Sequence, residues 1–365
     1  MSDDEVDQEL LVLLRKSLGI ANGSVSQPPE TKVLEGAEYV YDNAIDVALD
    51  PQGTKAAAST IWALMQSKGY STKAWSSHEL HPQTRDAAAV DFIFTMDLLN
   101  FCFWSEGTSD GRFSVNYRGK TWTGYWSLVA ALHRALDEEI PITSSDFWQD
   151  RGECTDEVLR YVFRSATKEQ IPLLEKRMAC LREAGQILYE RFQCSFTTCI
   201  REAKGSAAAL VNLIVENFPC FRDEVKFEGK KVRLYKRAQI LVADLWACFE
   251  GESYGRFDDI GKITAFADYR IPQMLHSLHC FHYSPPLDHH IRQLRPIESG
   301  HSWEVQLRGC SVWCIELIRR EIVRRNPGVA VNAILIDFFL YDTMKQLEAE
   351  GLEAIPHHRT RSIWY

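Results

Sequence analysis

The segment PLLEKRMACLREAGQILYERF, residues 172–192, decides the fold class of this chain. Its apolar residues recur at steps of three and four, which places them on one face of a helix. They are Leu173, Leu174, Met178, Leu181, Ile187, Leu188 and Phe192. Similar periods run through residues 206–218 and 303–325, with shorter cases at 125–136 and 273–281. The sequence therefore predicts a mainly α protein.

Two segments depart from the helical period and predict small β-hairpins. Residues 112–122 alternate around Arg118-Gly119, and residues 225–235 alternate around Glu228-Gly229-Lys230. No repeat of 20–50 residues and no second linker follows residue 36. We therefore predict one domain, 36–365, with β-hairpin additions. An acidic start and the polar run 22–29 predict that residues 1–35 form a flexible N-terminal extension.

The net charge and the length of the apolar runs indicate which kinds of binding partner to expect. The 365 residues carry 41 Lys+Arg against 50 Asp+Glu, a formal charge of -9. A protein that grips long nucleic acid usually has a basic face, so no stable nucleic-acid partner is expected, although a local basic pocket for one phosphate is compatible with this charge. No apolar run approaches the roughly 18 residues of a membrane span. With no secretory signal visible and cysteines inside apolar runs, we expect no membrane association, reduced thiols and cytoplasmic residence, with the nucleus left open.

Several common site motifs are missing. The chain has no GxGxxG, GxxxxGK[ST], GxSxG or HExxH. The histidine-rich segment 276–282 invites a zinc site, but ordinary surface or packed histidines are the favoured interpretation. We predict neither a metal nor a cofactor.

The first candidate site segment is the aromatic run 91–104, which carries Asp97 and Asn100. Aromatic rings can sandwich a flat base while Asp or Asn hydrogen-bonds its edge. The alternative is a buried helix with a satisfied Asp. This segment taken alone favours that alternative.

The second segment, 235–246, brings Lys236 and Arg237 to the start of an apolar helix that also contains Asp244. The cations suit a phosphate. They also suit a solvated or buried structural pair. A carboxylate among apolar residues is costly without a partner.

The third segment has a carboxylate just before a predicted helix, and the fourth is the charged and aromatic C-terminal end of the chain. Asp268 stands just before a helix expected to begin near Pro272, where it is either an N-terminal cap or a carboxylate facing a cleft. The last residues, 357–365, combine two arginines with aromatics, so we expect them to fold back and bring Arg361 to a pocket.

Taken together, these segments resemble the queuosine salvage proteins, the queuosine 5′-phosphate N-glycosylase/hydrolase family. The matching strings include MDLLNFCFWSEG (96–107), GKTWTGYWSLVAALHRALDEEIPITS (119–144), YKRAQILVADLW (235–246), ITAFADYRIPQ (263–273), LRGCSVWCIELI (307–318), ILIDFFLYD (334–342) and HRTRSIWY (358–365). The chain departs from the family at Cys194, commonly Gly, and at Ala265, commonly Met. Neither departure removes an ionisable group.

The resemblance implies hydrolysis of the N-glycosidic bond of queuosine 5′-phosphate, which releases queuine and ribose 5-phosphate. It also implies a fold similar to helix-hairpin-helix DNA glycosylases, in which an Asp at a helix start opposes the sugar. Asp268 would take that role with Lys236 as its companion, and Asp244 is the third candidate catalytic residue. Asp97, Asn100 or Asp244 would bind the base edge. The other candidate substrate-binding residues are Phe101, Trp104, Tyr125 and Tyr269 for stacking, and Lys236, Arg237 and Arg270 for the phosphate, with Arg361 and Tyr365 behind them.

Three other functions compete with this one. A base-exchange transglycosylase acting on tRNA would need a basic surface, which the net charge disfavours. A non-catalytic nucleotide- or tRNA-binding protein with a glycosylase-like fold is the main alternative, and a plain helical scaffold is the third. For the hydrolase we expect a monomer whose partner is a small-molecule nucleotide.

Overall fold

Helices carry most of the chain in the computed structural model, which describes residues 28–106 and 111–365. In chain order they are Val33–Asp42, Pro51–Ser67, Thr72–Ser76, Ala87–Leu98, Tyr125–Asp137, Ser145–Gln149, Asp156–Val162, Leu174–Arg191, Phe196–Glu202, Ala207–Asn217, Lys236–Cys248, Arg270–Ser277, Pro285–Arg292, Ser302–Arg325 and Ala333–Glu350. Short 3-10 turns occur at Pro219–Phe221, Ser253–Gly255 and Ile260–Lys262. The mainly α prediction is confirmed.

Both predicted hairpins are present. Ser114–Tyr117 pairs with Lys120–Thr123, and Glu224–Phe227 pairs with Lys230–Arg233, each antiparallel. The first turn has φ of 47° at Arg118 and 74° at Gly119. Positive φ at both central residues is the geometry that matches the twist of the flanking strands, and glycine adopts it without strain.

A third antiparallel pair joins distant parts of the chain. Val47–Leu49 pairs with Phe281–Tyr283. The predicted helix 273–281 is therefore wrong at both ends. It begins at Arg270 and ends at Ser277, because Asp268 accepts the first N–H groups and His279 takes a left-handed φ of 56°. Phe281 then belongs to the strand.

The helix Ser302–Arg325 lies in the core against Val33–Asp42 and Pro51–Ser67. Close approach of the first pair depends on Gly309. A Cβ at this position would lie 2.6 Å from the Cβ of Val40. The missing side chain thus allows the side chain of Val40 to pack directly against the backbone at Gly309.

The elements that carry the site converge around the helix Lys236–Cys248, which packs against Ala87–Leu98 and Ala207–Asn217. Arg270–Ser277 packs against Ala333–Glu350. The starts of two helices and one face of a third therefore meet in one region.

The N-terminal prediction falls mostly outside the described residues. The boundary at residue 36 stays a prediction, and the first described helix begins at Val33. The described elements all belong to the unit Thr31–Tyr365. Each of the ten cysteines is a free thiol, and only Cys194 is more than marginally exposed. Among the helices described, none has the length and apolar character needed to span a bilayer.

Candidate active site

A cavity of about 360 Å³ opens where these elements meet, a size in the range of small-molecule sites. Carboxyl groups, a buried lysine and aromatic rings line it. The lining residues considered below are Trp75, His78, His81, Asn100, Trp104, Tyr125, Trp126, Lys236, Asp244, Asp268, Tyr269, Arg270, Asp337, Lys345 and Tyr365.

Asp268 stands at the start of the helix Arg270–Ser277. Its Oδ1 accepts the backbone N–H groups of Arg270 at 2.8 Å and Ile271 at 2.9 Å. It therefore both caps the helix and lines the cavity, the two interpretations that the sequence left open. Burial raises the pKa of Asp268, while Lys236 and the two N–H groups oppose that rise. The carboxyl is fixed by the helix end and electrostatically tied to the lysine.

Lys236 is the first residue of its helix and is only 6% exposed. Its backbone N–H donates to Oδ2 of Asp223 at 3.2 Å. Burial lowers the pKa of the Lys236 ammonium, and the negative charges of Asp268 and Asp97 oppose this effect. A desolvated cation thus lies among carboxyl groups that favour its charged form.

Asp97 and Asp244 are two buried carboxyl groups that interact electrostatically with each other and with Lys236, and Asp244 lines the cavity. Asn100 donates to Oδ1 of Asp97 at 3.1 Å, whereas Oδ2 of Asp97 and Oδ1 of Asp244 have no hydrogen-bond partner among the described residues. Burial raises the pKa of Asp97 to about 7. Burial also raises the pKa of Asp244 well above its usual range, and the charge of Asp97 raises it further. Protonated carboxyl groups therefore persist here at pH values where a free Asp is ionised.

Asp337 is a carboxyl of the site that the sequence analysis missed. It lies on the helix Ala333–Glu350, is 4% exposed, and accepts the N–H of Phe266 at 2.9 Å. Burial and the nearby charge of Asp268 raise its pKa. The sequence did contain an indication, because Asp337 interrupts an otherwise apolar run. Burying an unpaired carboxyl costs free energy, so such a residue is a candidate for a functional site.

Stacked rings form one wall of the cavity. His78 stacks on Trp126 with ring centroids 3.3 Å apart, and His81 stacks on Trp75 at 3.7 Å. His81 is fixed by hydrogen bonds to the carbonyl of Trp75 at 2.7 Å and the hydroxyl of Tyr125 at 2.9 Å. This wall offers flat apolar surface of the kind that binds a planar base.

Residues 80–365 match the family described as queuosine salvage protein. A protein of Schizosaccharomyces pombe named queuosine 5′-phosphate N-glycosylase/hydrolase is 43% identical over 349 residues, 92% of this chain and 100% of that protein. The chain belongs to the queuosine salvage protein family. Proteins of the same name from Mus musculus and Sphaerobacter thermophilus are 42% and 40% identical, over 92% and 79% of this chain and 99% and 85% of their own lengths.

The cavity brings together most of the site residues that the family resemblance implied. Those that line it are Asn100, Trp104, Tyr125, Lys236, Asp244, Asp268, Tyr269, Arg270 and Tyr365. Four others lie outside the lining: Asp97, Phe101, Arg237 and Arg361. Asp97 accepts a hydrogen bond from the lining residue Asn100, and its ionised form favours the charged form of Lys236.

Arg237 and Phe101 are structural neighbours behind the cavity, which corrects their predicted contacts with phosphate and base. The Arg237 guanidinium donates to the carbonyls of Leu98 and Cys220 and is 1% exposed. Phe101 is fully buried, and the guanidinium groups of Arg177 and Arg237 lie 4.3 Å and 4.9 Å from its ring centroid. Both residues are buried in protein, and neither is part of the cavity lining.

Arg361 also takes a structural position. It donates to the carbonyl of Trp104 at 2.8 Å and lies 3.6 Å from the Trp104 ring centroid. The folded-back end of the chain is present as expected, but the residues it gives the cavity are His357, Arg359 and Tyr365. Arg361 supports Trp104 from outside.

Cations gather at another part of the lining. Arg270 donates to Glu348 at 2.8 Å and to Glu353 at 3.2 Å. Lys345 hydrogen-bonds Glu348, and Arg112 lies 3.9 Å from the same carboxylate. Three cations against two carboxylates leave a local excess of positive charge, which suits one phosphate group.

The histidine-rich segment does not assemble a metal centre. In the part of the chain that the structure covers, no group of three or more His, Cys, Asp or Glu side chains is arranged to hold a metal ion. His276 ends up on the helix, whereas His282 lies on the strand and faces Asp50 at 3.3 Å. The helix end at Ser277 separates residues that a continuous helix would have aligned.

Proposed function

We propose that this chain hydrolyses the N-glycosidic bond of queuosine 5′-phosphate and releases queuine and ribose 5-phosphate. The observation that carries the proposal is the pair of Asp268 and Lys236 facing one cavity with a stacked aromatic wall. The chain also spans nearly the whole length of relatives that carry this activity in their names. Bound queuosine 5′-phosphate is the small-molecule partner.

Asp268 acts on the sugar. Breaking the bond from C1′ to the base builds positive charge on the ribose, and a fixed carboxylate beside C1′ stabilises it. In this proposal the same carboxylate takes a proton from the water that adds to C1′. Lys236 favours the ionised form of Asp268 despite its burial. The helix-start N–H groups hold the carboxylate in one orientation.

Asp244 acts on the leaving base. A 7-deazapurine lacks N7, so the departing electron pair must be neutralised through another edge of the base. Asp244 lines the cavity, has a raised pKa, and has one oxygen without a hydrogen-bond partner among the residues described, so its protonated form can donate a hydrogen bond to that edge. Asn100 also lines the cavity and is a second hydrogen-bonding group for the base. Water supplies one proton to the base and its hydroxyl group to C1′, which balances the reaction.

Arg270 and Lys345 bind the 5′-phosphate in this proposal, in place of Arg237. Both line the cavity, and both share Glu348, which holds their side chains in place. Tyr125, Trp104 and Tyr269 contact the base or sugar.

Four finer features belong to the same proposal. The fold is of the helix-hairpin-helix DNA-glycosylase type, supported by an Asp that starts a helix at the cavity. The protein is a monomer that forms no stable complex with nucleic acid, in keeping with a formal charge of -9. It resides in the cytoplasm, with the nucleus as a second location. It needs no cofactor, because the residues described supply every step above.

The direct test measures base release from queuosine 5′-phosphate by chromatography with mass detection. The wild type should release queuine, and Asp268→Asn should lose the activity. Asp259→Asn is the matched control, because Asp259 also accepts an N–H at a helix start, from Ala207 at 2.6 Å, but lies away from the cavity. Tight nucleotide binding without release by the wild type would instead support the non-catalytic binding protein.

A further inference from the structure

A buried guanidinium links the two segments that carry Lys236 and Asp268. Arg308 lies in the helix Ser302–Arg325 and is 2% exposed. Its two terminal nitrogens donate to Asp223, at 2.5 Å to Oδ2 and 3.1 Å to Oδ1. Its Nε donates to the carbonyl of Ala267 at 2.8 Å. One rigid planar group therefore holds a carboxylate and a backbone carbonyl at the same time.

Each partner of Arg308 lies next to a residue of the site. Oδ2 of Asp223 also accepts the backbone N–H of Lys236 at 3.2 Å, and the carbonyl of Asp223 accepts the N–H of Leu234 at 3.0 Å. Ala267 directly precedes Asp268 in the chain. Arg308 thus bonds the carboxylate that accepts the N–H of Lys236 and the carbonyl of the residue before Asp268.

Arg308 has two further contacts that fix its own position. It donates to Glu304 at 3.1 Å, one helical turn earlier, and lies 4.2 Å from the ring centroid of Tyr365. Arg308 itself is outside the cavity lining, whereas Tyr365 is part of it. A buried charge network of this kind contributes little net stability compared with apolar packing, because desolvation offsets the attraction. Its distinctive property is fixed geometry.

We propose that Arg308, through Asp223 and the carbonyl of Ala267, is the positioning residue that sets the separation and orientation of Lys236 and Asp268. This inference rests on the proposed function for its kinetic consequence. Arg308 touches neither substrate nor reacting atoms. The two terminal nitrogens are needed to bind Asp223 and the Nε–H to bind the carbonyl of Ala267 at the same time. A lysine ammonium has no equivalent arrangement of donors.

The test compares Arg308→Lys with the wild type. The variant keeps the charge and a contact to Asp223 but loses the simultaneous bond to Ala267. The kcat for queuosine 5′-phosphate should fall about 100-fold, the scale of an ångström-sized misplacement of reacting groups. The KM should stay within about twofold, because the loss is confined to the transition state.

A second measurement does not depend on turnover. The pH dependence of Lys236 acetylation by acetic anhydride, followed by mass spectrometry, reports the pKa of that amine. Asp268, Asp97 and Asp337 favour its charged form, and Arg237 opposes it. Moving Asp268 away should shift the labelling midpoint of Arg308→Lys to lower pH. If the wild type releases no base but this shift occurs, the proposed function fails and the positioning role stands.

Arg134→Lys is the matched control, because Arg134 also donates to two backbone carbonyls, those of Val162 and Arg164, away from the cavity. It should leave kcat and the labelling midpoint unchanged. If Arg308→Lys only lowers Tm, with kcat and the midpoint as in the wild type, Arg308 is structural and the inference is overturned. Should Arg308→Lys not fold, Asp223→Asn provides the same two readouts with an isosteric side chain.

Discussion

Asp97 shows at the scale of one residue how the site reduces stability. Its carboxyl is fully buried, and its pKa of about 7 lies far above the ordinary 3.8. Between these pH values the unfolded chain releases the proton while the folded protein retains it, so the free energy of unfolding decreases as pH rises. The stabilising effect of the neutral carboxyl is complete below pH 3.8 and is lost by about pH 7.

Asp97→Asn should therefore be more stable than the wild type near pH 7, by on the order of a few kcal/mol. The advantage should shrink toward pH 4, where both side chains are neutral. Urea unfolding at the two pH values measures the difference. A variant that is equally destabilised at both pH values would show that Asp97 is ionised in the fold.

Lys345 permits a residue-scale test of the phosphate assignment. Lys345→Gln removes a charge from the group that includes Arg270 and Glu348. The KM for queuosine 5′-phosphate should rise about tenfold, the effect of losing roughly 1.4 kcal/mol of charge-assisted binding. The KM for the free nucleoside should hardly change. The exposed Lys55→Gln is the control, and equal losses on both substrates would contradict the assignment.

Gly309 permits a test at the scale of packed elements. An added Cβ would lie 2.6 Å from the Cβ and Cγ1 of Val40, in the contact between the helices Ser302–Arg325 and Val33–Asp42. Gly309→Ala should destabilise the fold by about 1–3 kcal/mol, although alanine is the better helix former. Gly261→Ala is the control, because its Cβ would meet nothing within 4 Å. Thermal unfolding of both variants, and of Gly309→Ala combined with Val40→Ala, measures the clash and its relief.

Helices with a regular apolar period and hairpins with a glycine turn were predictable from sequence. Elements that depend on contacts between residues far apart in the chain were not. The helices Leu174–Arg191 and Ser302–Arg325 follow from their apolar faces, and both hairpins follow from their glycine turns. The strand Val47–Leu49 gave no signal, because its partner lies in another part of the chain. The start of Arg270–Ser277 was shifted by a side-chain cap from Asp268 that the helical period does not encode.

The whole molecule determines which charged residues reach the cavity, and sequence alone could predict this only in part. Lys236 and Arg237 are adjacent in sequence, yet one lines the cavity and the other bonds carbonyls behind it. Neighbouring side chains on a helix point about 100° apart, so tertiary packing decides which of them faces the cavity. Asp337 joins the site from a helix near the end of the chain, for the same reason.

Ligand binding should stabilise the molecule as a whole. With Asp268→Asn, which prevents turnover in our proposal, queuosine 5′-phosphate at about 100 times its Kd should add roughly 2.7 kcal/mol to the free energy of unfolding. Differential scanning calorimetry measures the gain. Ribose 5-phosphate at the same concentration should give a smaller shift, since it leaves the aromatic wall empty. Equal shifts from both ligands would place the binding energy outside that wall.

The pairing of Val47–Leu49 with Phe281–Tyr283 also has a consequence for biosynthesis. Asp50 and its partner His282, at the edge of this pair, are separated by 232 residues. A ribosome needs roughly 10 to 50 s to make that length of chain. Throughout this interval the early strand and its flanking helices emerge without their partners, and their apolar faces are available to chaperones. The N-terminal part of the fold is therefore translated first but completes its packing only after Phe281–Tyr283 and Ser302–Arg325 have been made.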